Sequence, residues 1–142
     1  MTAKLYFRTA SFLMATFAIG HTIGFLSSAG KPAESIPVLE AMKSVRFQTM
    51  GFERTYWDFY SGFGLLLTVF MLMSAFLLWR LGGASQGERG LTKSIARGLF
   101  ASQVAMAILC ATNLFWAPII FSTLIAAITF LGLRGLASPV GL

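Results

Sequence analysis

Residues 53–64 read ERTYWDFYSGFG, and they mark the boundary between a polar segment and a long apolar one. Two of the five acidic residues of the chain, Glu53 and Asp58, lie in this stretch, which continues into an uncharged apolar run. Three of its aromatic side chains are of the kinds that favour a membrane–water interface: Tyr56, Trp57 and Tyr60. The stretch therefore predicts the entry of a transmembrane helix over about residues 55–79.

The composition extends this interpretation to all 142 residues. Hydrophobic residues make up 56% of the chain and charged residues only 11%, whereas soluble domains carry about 25% charged residues. At about 20 apolar residues per span, the chain has room for four spans and short loops. We therefore predict an all-α fold, an integral membrane four-helix bundle that forms a single membrane domain over residues 1–142.

Three further apolar runs supply the other predicted transmembrane helices, over about residues 5–29, 93–115 and 118–136. The link between the last two is so short that they must form an antiparallel hairpin. A cleaved signal peptide is the alternative for the first run, because Ser27-Ser28-Ala29 loosely fits a cleavage site. The length of the run favours a retained helix.

The loop between the first two spans carries a different pattern. Pro37 suits the first turn of a helix. The apolar residues that then recur at three-residue spacing are Leu39, Met42 and Val45. Together they predict a short amphipathic helix over about residues 37–47, lying on the membrane or across the mouth of the bundle. A solvated loop is the alternative.

Basic residues are distributed unequally between the two predicted sides of the membrane. Residues 1–8, 80–97 and 134–142 hold seven Lys and Arg, whereas residues 30–58 hold four. Because short loops rich in Lys and Arg stay in the cytoplasm, we predict a bacterial inner-membrane protein with both termini cytoplasmic and the first loop extracytoplasmic. This topology accounts for the net charge of +6 without a nucleic-acid partner.

Polar side chains of the four predicted helices fall at a similar depth in the outer half of the bundle. His21 lies well inside the first helix, roughly 20 Å beyond Arg8 along its axis. Asp58 lies about one turn into the second helix. The full predicted cluster comprises His21, Thr22, Asp58, Tyr60, Asn113, Ser122 and Thr123.

A hydrogen bond between His21 and Asp58 would fix one tautomer of the imidazole and raise its basicity, as a proton-transfer site requires. We therefore predict His21 and Asp58 as catalytic residues. The predicted ligand-binding residues are Thr22, Glu53, Tyr56, Trp57, Tyr60, Asn113 and Trp116. In the alternative interpretation, Asp58 pairs with Arg54 on its own helix, and His21 bonds a backbone carbonyl or a serine of another helix.

No metal site is predicted, because one histidine and one cysteine, Cys110, make a poor ligand set. Ligation of haem by His21 and a methionine is an alternative, although the seven methionines of so apolar a chain are more typical of core packing. The cofactor therefore stays unknown, and none is required by the pattern.

Three motifs stand out together: GHTIGF at residues 20–25, RTYWDFYSGFG at residues 54–64 and APIIF at residues 117–121. They resemble a family of small bacterial four-helix membrane proteins of about this length. The resemblance spans nearly the whole chain and implies the same fold, but no particular activity. A fold-level similarity to the emopamil-binding group, which includes sterol isomerases, rests on a small set of residues. They are His21, Glu53, Asp58, Asn113 and Trp116.

These observations favour a protein that binds an apolar, lipid-like ligand (an isoprenoid, quinone or sterol-like lipid) near the outer leaflet. His21 and Asp58 would orient the ligand or move a proton. The alternative is an accessory or structural subunit of a larger membrane complex, or a homo-oligomer, in which the Gly20/Gly24 pair allows close helix approach. Transport by this chain alone is less favoured, because the sequence has no inverted repeat or pair of broken helices.

The predicted topology is tested by fusing alkaline phosphatase, which is active only outside the cytoplasm, after Ala33. We expect an active fusion, because the positive-inside rule places this loop outside. A fusion after Gly83 serves as the control and should stay inactive. An inactive fusion at Ala33 would overturn the topology.

Overall fold

The computed structural model describes residues 2–27 and 32–137, and their secondary structure is almost entirely helical. Its elements in chain order are α1 (Ala3–Leu26), α2 (Ser35–Ser44), β1 (Arg46–Thr49), β2 (Phe52–Thr55), α3 (Tyr56–Leu81), a 3₁₀ turn (Gln86–Glu88), α4 (Arg89–Asn113) and α5 (Trp116–Ala137). The predicted all-α membrane fold is confirmed.

Four of the described helices are long and apolar enough to cross a membrane: Ala3–Leu26, Tyr56–Leu81, Gln86–Asn113 and Trp116–Leu136. The chain is thus a multi-pass membrane protein. The third span begins earlier than the predicted residue 93, because a capping box precedes it. The Glu88 carboxylate accepts hydrogen bonds from both the backbone N–H and the hydroxyl of Ser85, each at 2.8 Å.

The helix predicted for the first loop is present as α2, although it runs over Ser35–Ser44 rather than 37–47. Leu39 and Met42 of the predicted apolar stripe are half-buried, whereas its third member, Val45, is exposed and lies beyond the end of the helix. The helix ends early because Val45 adopts an extended backbone conformation. From this point the chain forms strands instead of a further helical turn.

A two-stranded antiparallel hairpin, which the sequence analysis did not predict, links α2 to α3. Strand β1 pairs with β2 in a register that sets Thr49 opposite Phe52. The two residues between them, Met50 and Gly51, have φ angles of 49° and 83°. Positive φ at both positions is the signature of a type I′ turn. Asn-Gly is the usual sequence signal for this turn. Here Met50 takes the place of the asparagine, so the sequence lacks that signal.

The hairpin packs its aromatic side chain against the start of α3. The ring centroid of Phe47 lies 4.9 Å from that of Tyr56 and 5.5 Å from that of Phe59. Lys43, near the end of α2, places its ammonium 5.1 Å from the centre of the Trp57 ring. The two loop elements are therefore attached to the first turns of α3.

The described chain divides into two compact units. Unit 1 consists of Met1–Ala18 and Met71–Leu142, and unit 2 of Ile19–Phe70. The single membrane domain over residues 1–142 stays a prediction.

In unit 1, α1 and α5 run antiparallel and pack closely. The Phe7 side chain is fully buried, and a Cβ atom added at Gly132 would lie only 2.8 Å from its ring. Further along, the rings of Phe17 and Phe121 stack with centroids 5.0 Å apart. The absence of a side chain at Gly132 is what allows the bulky Phe7 ring to reach the backbone of α5.

Polar contacts hold α1 against the end of α3 in the same unit. The buried Ser11 hydroxyl donates a hydrogen bond of 2.7 Å to the Ala75 carbonyl. The Arg8 guanidinium lies 4.2 Å from the centre of the Trp79 ring. At the start of α4, Arg89 donates to the Leu136 carbonyl. These contacts bring the start of α1, the end of α3, the start of α4 and the end of α5 to one end of unit 1. The cytoplasmic location of this end stays a prediction.

The packing of Phe7 on Gly132 is tested by Gly132→Ala. We expect a loss of about 1–3 kcal/mol in the free energy of unfolding, because the fully buried ring cannot move away from the new methyl group. Gly98→Ala is the matched control: its added Cβ meets no described atom within 4 Å. It should stay within about 1 kcal/mol of the wild type. SDS-induced unfolding in detergent measures both, and equal stabilities would contradict the packing account.

Candidate functional site

The single histidine of the chain is held by a backbone carbonyl. His21 Nε2, on α1, lies 3.2 Å from the Gly64 carbonyl oxygen on α3. A carbonyl oxygen can only accept, so Nε2 must carry the hydrogen. In a neutral imidazole this leaves Nδ1 as an acceptor, and none of the described residues forms a hydrogen bond with it. The contact therefore sets the tautomer and leaves one ring nitrogen available to accept a proton or a hydrogen bond.

Thr68 joins His21 at the same carbonyl, and Thr22 contacts Thr68. Thr68 Oγ1 donates a hydrogen bond of 3.2 Å to the Gly64 oxygen, and the hydroxyls of Thr22 and Thr68 lie 2.8 Å apart. We call these four residues, His21, Thr22, Gly64 and Thr68, the Gly64 network. The network gives several polar side chains between two transmembrane helices a hydrogen-bond partner, and it contains no carboxylate, lysine or arginine.

An aromatic wall formed by Phe25, Trp57 and Tyr60 lies beside this network. Phe25 stacks on the His21 ring with centroids 5.2 Å apart, and it meets Tyr60 edge-on at 6.2 Å. Trp57 continues the wall at 5.5 Å from Tyr60. A Cβ atom at Gly64 would lie 2.8 Å from the Phe25 ring, so Gly64 allows the wall and the network to coexist.

Asp58 has a local partner directly before its own helix. Its carboxylate accepts a hydrogen bond of 2.8 Å from the Thr55 backbone N–H, and the Thr55 hydroxyl accepts one of 3.1 Å from the Asp58 N–H. This reciprocal pair is a capping box that starts α3. In the described part of the chain the Asp58 side chain forms its hydrogen bond with Thr55, not with Arg54 or His21. Its predicted catalytic role stays a prediction.

Glu53 and Tyr56 belong to the hairpin and its junction with α3. Glu53 pairs with Arg46 across the two strands at 2.8 Å. The hydrogen bond and negative charge of Glu53 raise the pKa of Arg46 above its ordinary value. Tyr56 packs on Phe47. The structure thus gives both residues partners within the loop elements.

Asn113 and Trp116 lie in unit 1, at the turn between α4 and α5. The Asn113 amide donates to the Leu109 carbonyl at 3.0 Å and to the Thr112 hydroxyl at 2.7 Å. Trp116 is 72% exposed, as an interfacial anchor would be. Ser122 is fully buried in the same unit, whereas Thr123 is exposed. The ligand-binding roles of Asn113 and Trp116 stay predictions.

Of the predicted site residues, the structure therefore brings His21, Thr22, Trp57 and Tyr60 into one neighbourhood of unit 2. Sequence reasoning missed three further members of it: Phe25, Gly64 and Thr68. The available signal was the polar and small residues of α3 at helical spacing, Gly64 and Thr68, which lie one turn apart. In the described ranges, no group of three His, Cys, Asp or Glu side chains could hold a metal ion.

No protein-family model, curated protein or solved structure matches the chain. The resemblance to small bacterial four-helix membrane proteins stays a prediction from the three motifs.

The dependence of the His21 tautomer on Gly64 is tested by Gly64→Ala. The added methyl group should displace the Phe25 ring and weaken the Nε2–carbonyl hydrogen bond. Because the chain has one histidine, ¹⁵N NMR of histidine-labelled protein in micelles reports this imidazole alone, and we expect its tautomer signals to change.

Gly62→Ala is the matched control for that experiment, since its added Cβ meets no described atom within 4 Å. It should leave the imidazole spectrum as in the wild type. An unchanged spectrum in Gly64→Ala would refute the proposed coupling.

Proposed function

We propose that this protein binds an apolar, lipid-like molecule with a polar head, such as an isoprenoid alcohol, a quinone or a sterol-like lipid, at the Gly64 network. In this proposal the protein lies in a bacterial inner membrane with both termini cytoplasmic, and the site faces the outer leaflet. The observation that carries the proposal is the His21–Gly64 hydrogen bond, because it leaves Nδ1 as an acceptor inside a membrane span.

An acceptor at this depth suits a ligand that carries a hydroxyl group. Water is scarce in the bilayer, so a ring nitrogen without a hydrogen bond from any described residue gains more from a hydroxyl donor there than at the protein surface. His21 is half-buried, which leaves part of the ring open to a bound molecule. A quinol or alcohol head could donate to Nδ1, and a quinol could also transfer its proton there.

The aromatic wall supports the apolar part of the same ligand. Phe25 and Tyr60 present ring surfaces beside the imidazole, and flat or branched hydrocarbon packs well on aromatic rings. Tyr60 is also exposed enough to be contacted from the lipid phase. Asp58 enters this proposal as a positioning residue, since its capping box fixes the first turn of α3, which carries Trp57.

The proposal is tested by replacing the acceptor while keeping the ring. His21→Phe preserves the stacking on Phe25 but removes both nitrogens. We expect the lipid that co-purifies with the wild type to fall about tenfold or more, as loss of a buried hydrogen bond to a ligand costs. Lipid extraction and mass spectrometry of detergent-purified protein provide the measurement.

Asp58→Asn is the companion variant in that experiment. An asparagine can still accept the Thr55 N–H, so the cap and the bound lipid should both persist. If wild type and His21→Phe carry the same lipids in the same amounts, the ligand site is not at His21. Loss of lipid in Asp58→Asn with retained folding would instead give Asp58 a direct role.

A second candidate function, an accessory subunit of a membrane complex, is favoured by one observation. The hairpin turn presents Met50, which is 96% exposed, together with the exposed Phe52 ring. Apolar side chains at the tip of a loop element suit contact with another protein or with the membrane surface. Native mass spectrometry in a mild detergent distinguishes these cases, and a purely monomeric protein without partners would count against the subunit role.

A further inference from the structure

A basic pocket lies between α4 and α5 in unit 1, and none of its lining residues belongs to the Gly64 network. It has a volume of about 310 Å³. Its lining residues are Lys93, Arg97, Phe100, Phe130, Leu133 and Arg134. Half of these side chains are cationic, and none of the six is a carboxylate. From this pocket we infer a second binding site, for the phosphate-bearing headgroup of an anionic phospholipid.

The first reason is electrostatic. Lys93 and Arg97 are four residues apart and share one face of α4, and Arg134 approaches from α5. Three cations around one cavity give it a positive potential, and this potential attracts an anion. Arginine offers paired N–H donors that match the oxygens of a phosphodiester, and lysine adds a mobile point charge.

The second reason is the order of polar and apolar groups along the helices. Phe100 lies seven residues after Lys93 on α4, or about 10 Å deeper along the span. Phe130 lies one turn deeper than Arg134 on α5, and the two phenylalanine rings pack with centroids 5.6 Å apart. A phospholipid has the same sequence of groups, with a charged phosphate above an apolar chain. A free phosphate ion would use only the upper half of this pocket.

The third reason is the position of the pocket in the spans. Lys93 and Arg97 belong to the beginning of the third candidate span, and Arg134 to the end of the fourth. Basic pockets between transmembrane helices at this level bind the heads of anionic lipids. Among the described residues, the end of unit 1 that holds the pocket also carries Arg80 and Arg89, against the single carboxylate of Glu88. The local charge therefore favours an anion.

The inference is tested by lipid titration of the detergent-solubilised full chain, followed by native mass spectrometry. Dioleoyl phosphatidylglycerol is the anionic probe, and dioleoyl phosphatidylcholine is the zwitterionic one. We expect wild-type protein to bind phosphatidylglycerol more tightly than phosphatidylcholine. The double variant Lys93→Gln/Arg97→Gln should bind phosphatidylglycerol at least about tenfold more weakly than the wild type. Equal binding of the two lipids by the wild type would overturn the site.

A matched pair of variants separates local charge from net charge. Lys4→Gln/Arg80→Gln also removes two positive charges from unit 1, but neither residue lines the pocket. Its affinity for phosphatidylglycerol should therefore stay within about twofold of the wild type. Lys93→Arg/Arg97→Lys keeps the pocket charge and should retain binding, which guards against a folding defect in the glutamine variant. Equal losses in the two glutamine variants would overturn the inference.

Inorganic phosphate, added at millimolar concentration, identifies the source of the phosphate group. An anionic lipid that is held by both the cations and the two phenylalanines should stay bound in its presence. Full displacement by inorganic phosphate would show a simple anion site and contradict the lipid assignment. The result does not depend on His21, so it can fail or succeed independently of the proposed function.

Discussion

The interior of a bilayer offers no water to a polar side chain, so a hydrogen-bond partner within the protein stabilises such a group inside a span. In this chain the backbone of α3 supplies such a partner to a side chain of α1 in each unit. The Ala75 carbonyl accepts from Ser11 in unit 1, and the Gly64 carbonyl contacts His21 in unit 2. Both carbonyls already belong to a helix, so each gains a side-chain donor without breaking the helical pattern. The placement of α1 residues against α3 follows from this constraint.

A glycine allows an aromatic ring to pack against a helix backbone in each of the two units. At Gly64 the missing side chain leaves space for Phe25, which in turn stacks on His21. At Gly132 it leaves space for Phe7, which is fully buried. Dispersion between a ring and a bare helix backbone replaces the hydrophobic driving force that a membrane interior does not provide. The glycines that face a ring are Gly64 and Gly132, whereas a role of the Gly20/Gly24 pair in close helix approach stays a prediction.

The spans and the loop helix could be predicted from composition, proline and periodicity, because lipid imposes a length and a polarity on each helix. The partners of individual side chains could not. Helices that are apolar on all sides carry no periodic signal for which face meets a neighbour, so the His21–Gly64 contact was only one of the alternatives. Thr55 and Asp58 have the spacing of a capping box, but an acidic residue at the start of a span also fits a pair inside the membrane. The hairpin was missed because Met50 adopts a turn conformation that usually needs asparagine or glycine.

The contact between Phe7 and Gly132 has a consequence for the synthesis of the chain. Phe7 enters the membrane early with α1, whereas Gly132 belongs to α5, which the ribosome makes much later. Until then the Phe7 face of α1 has no native packing surface and must be covered by lipid or by the insertion machinery. Unit 1 can therefore complete its core only after α5 has inserted. A chain interrupted before α5 would carry a correctly inserted but unpacked first helix, and would be a natural target for membrane proteases.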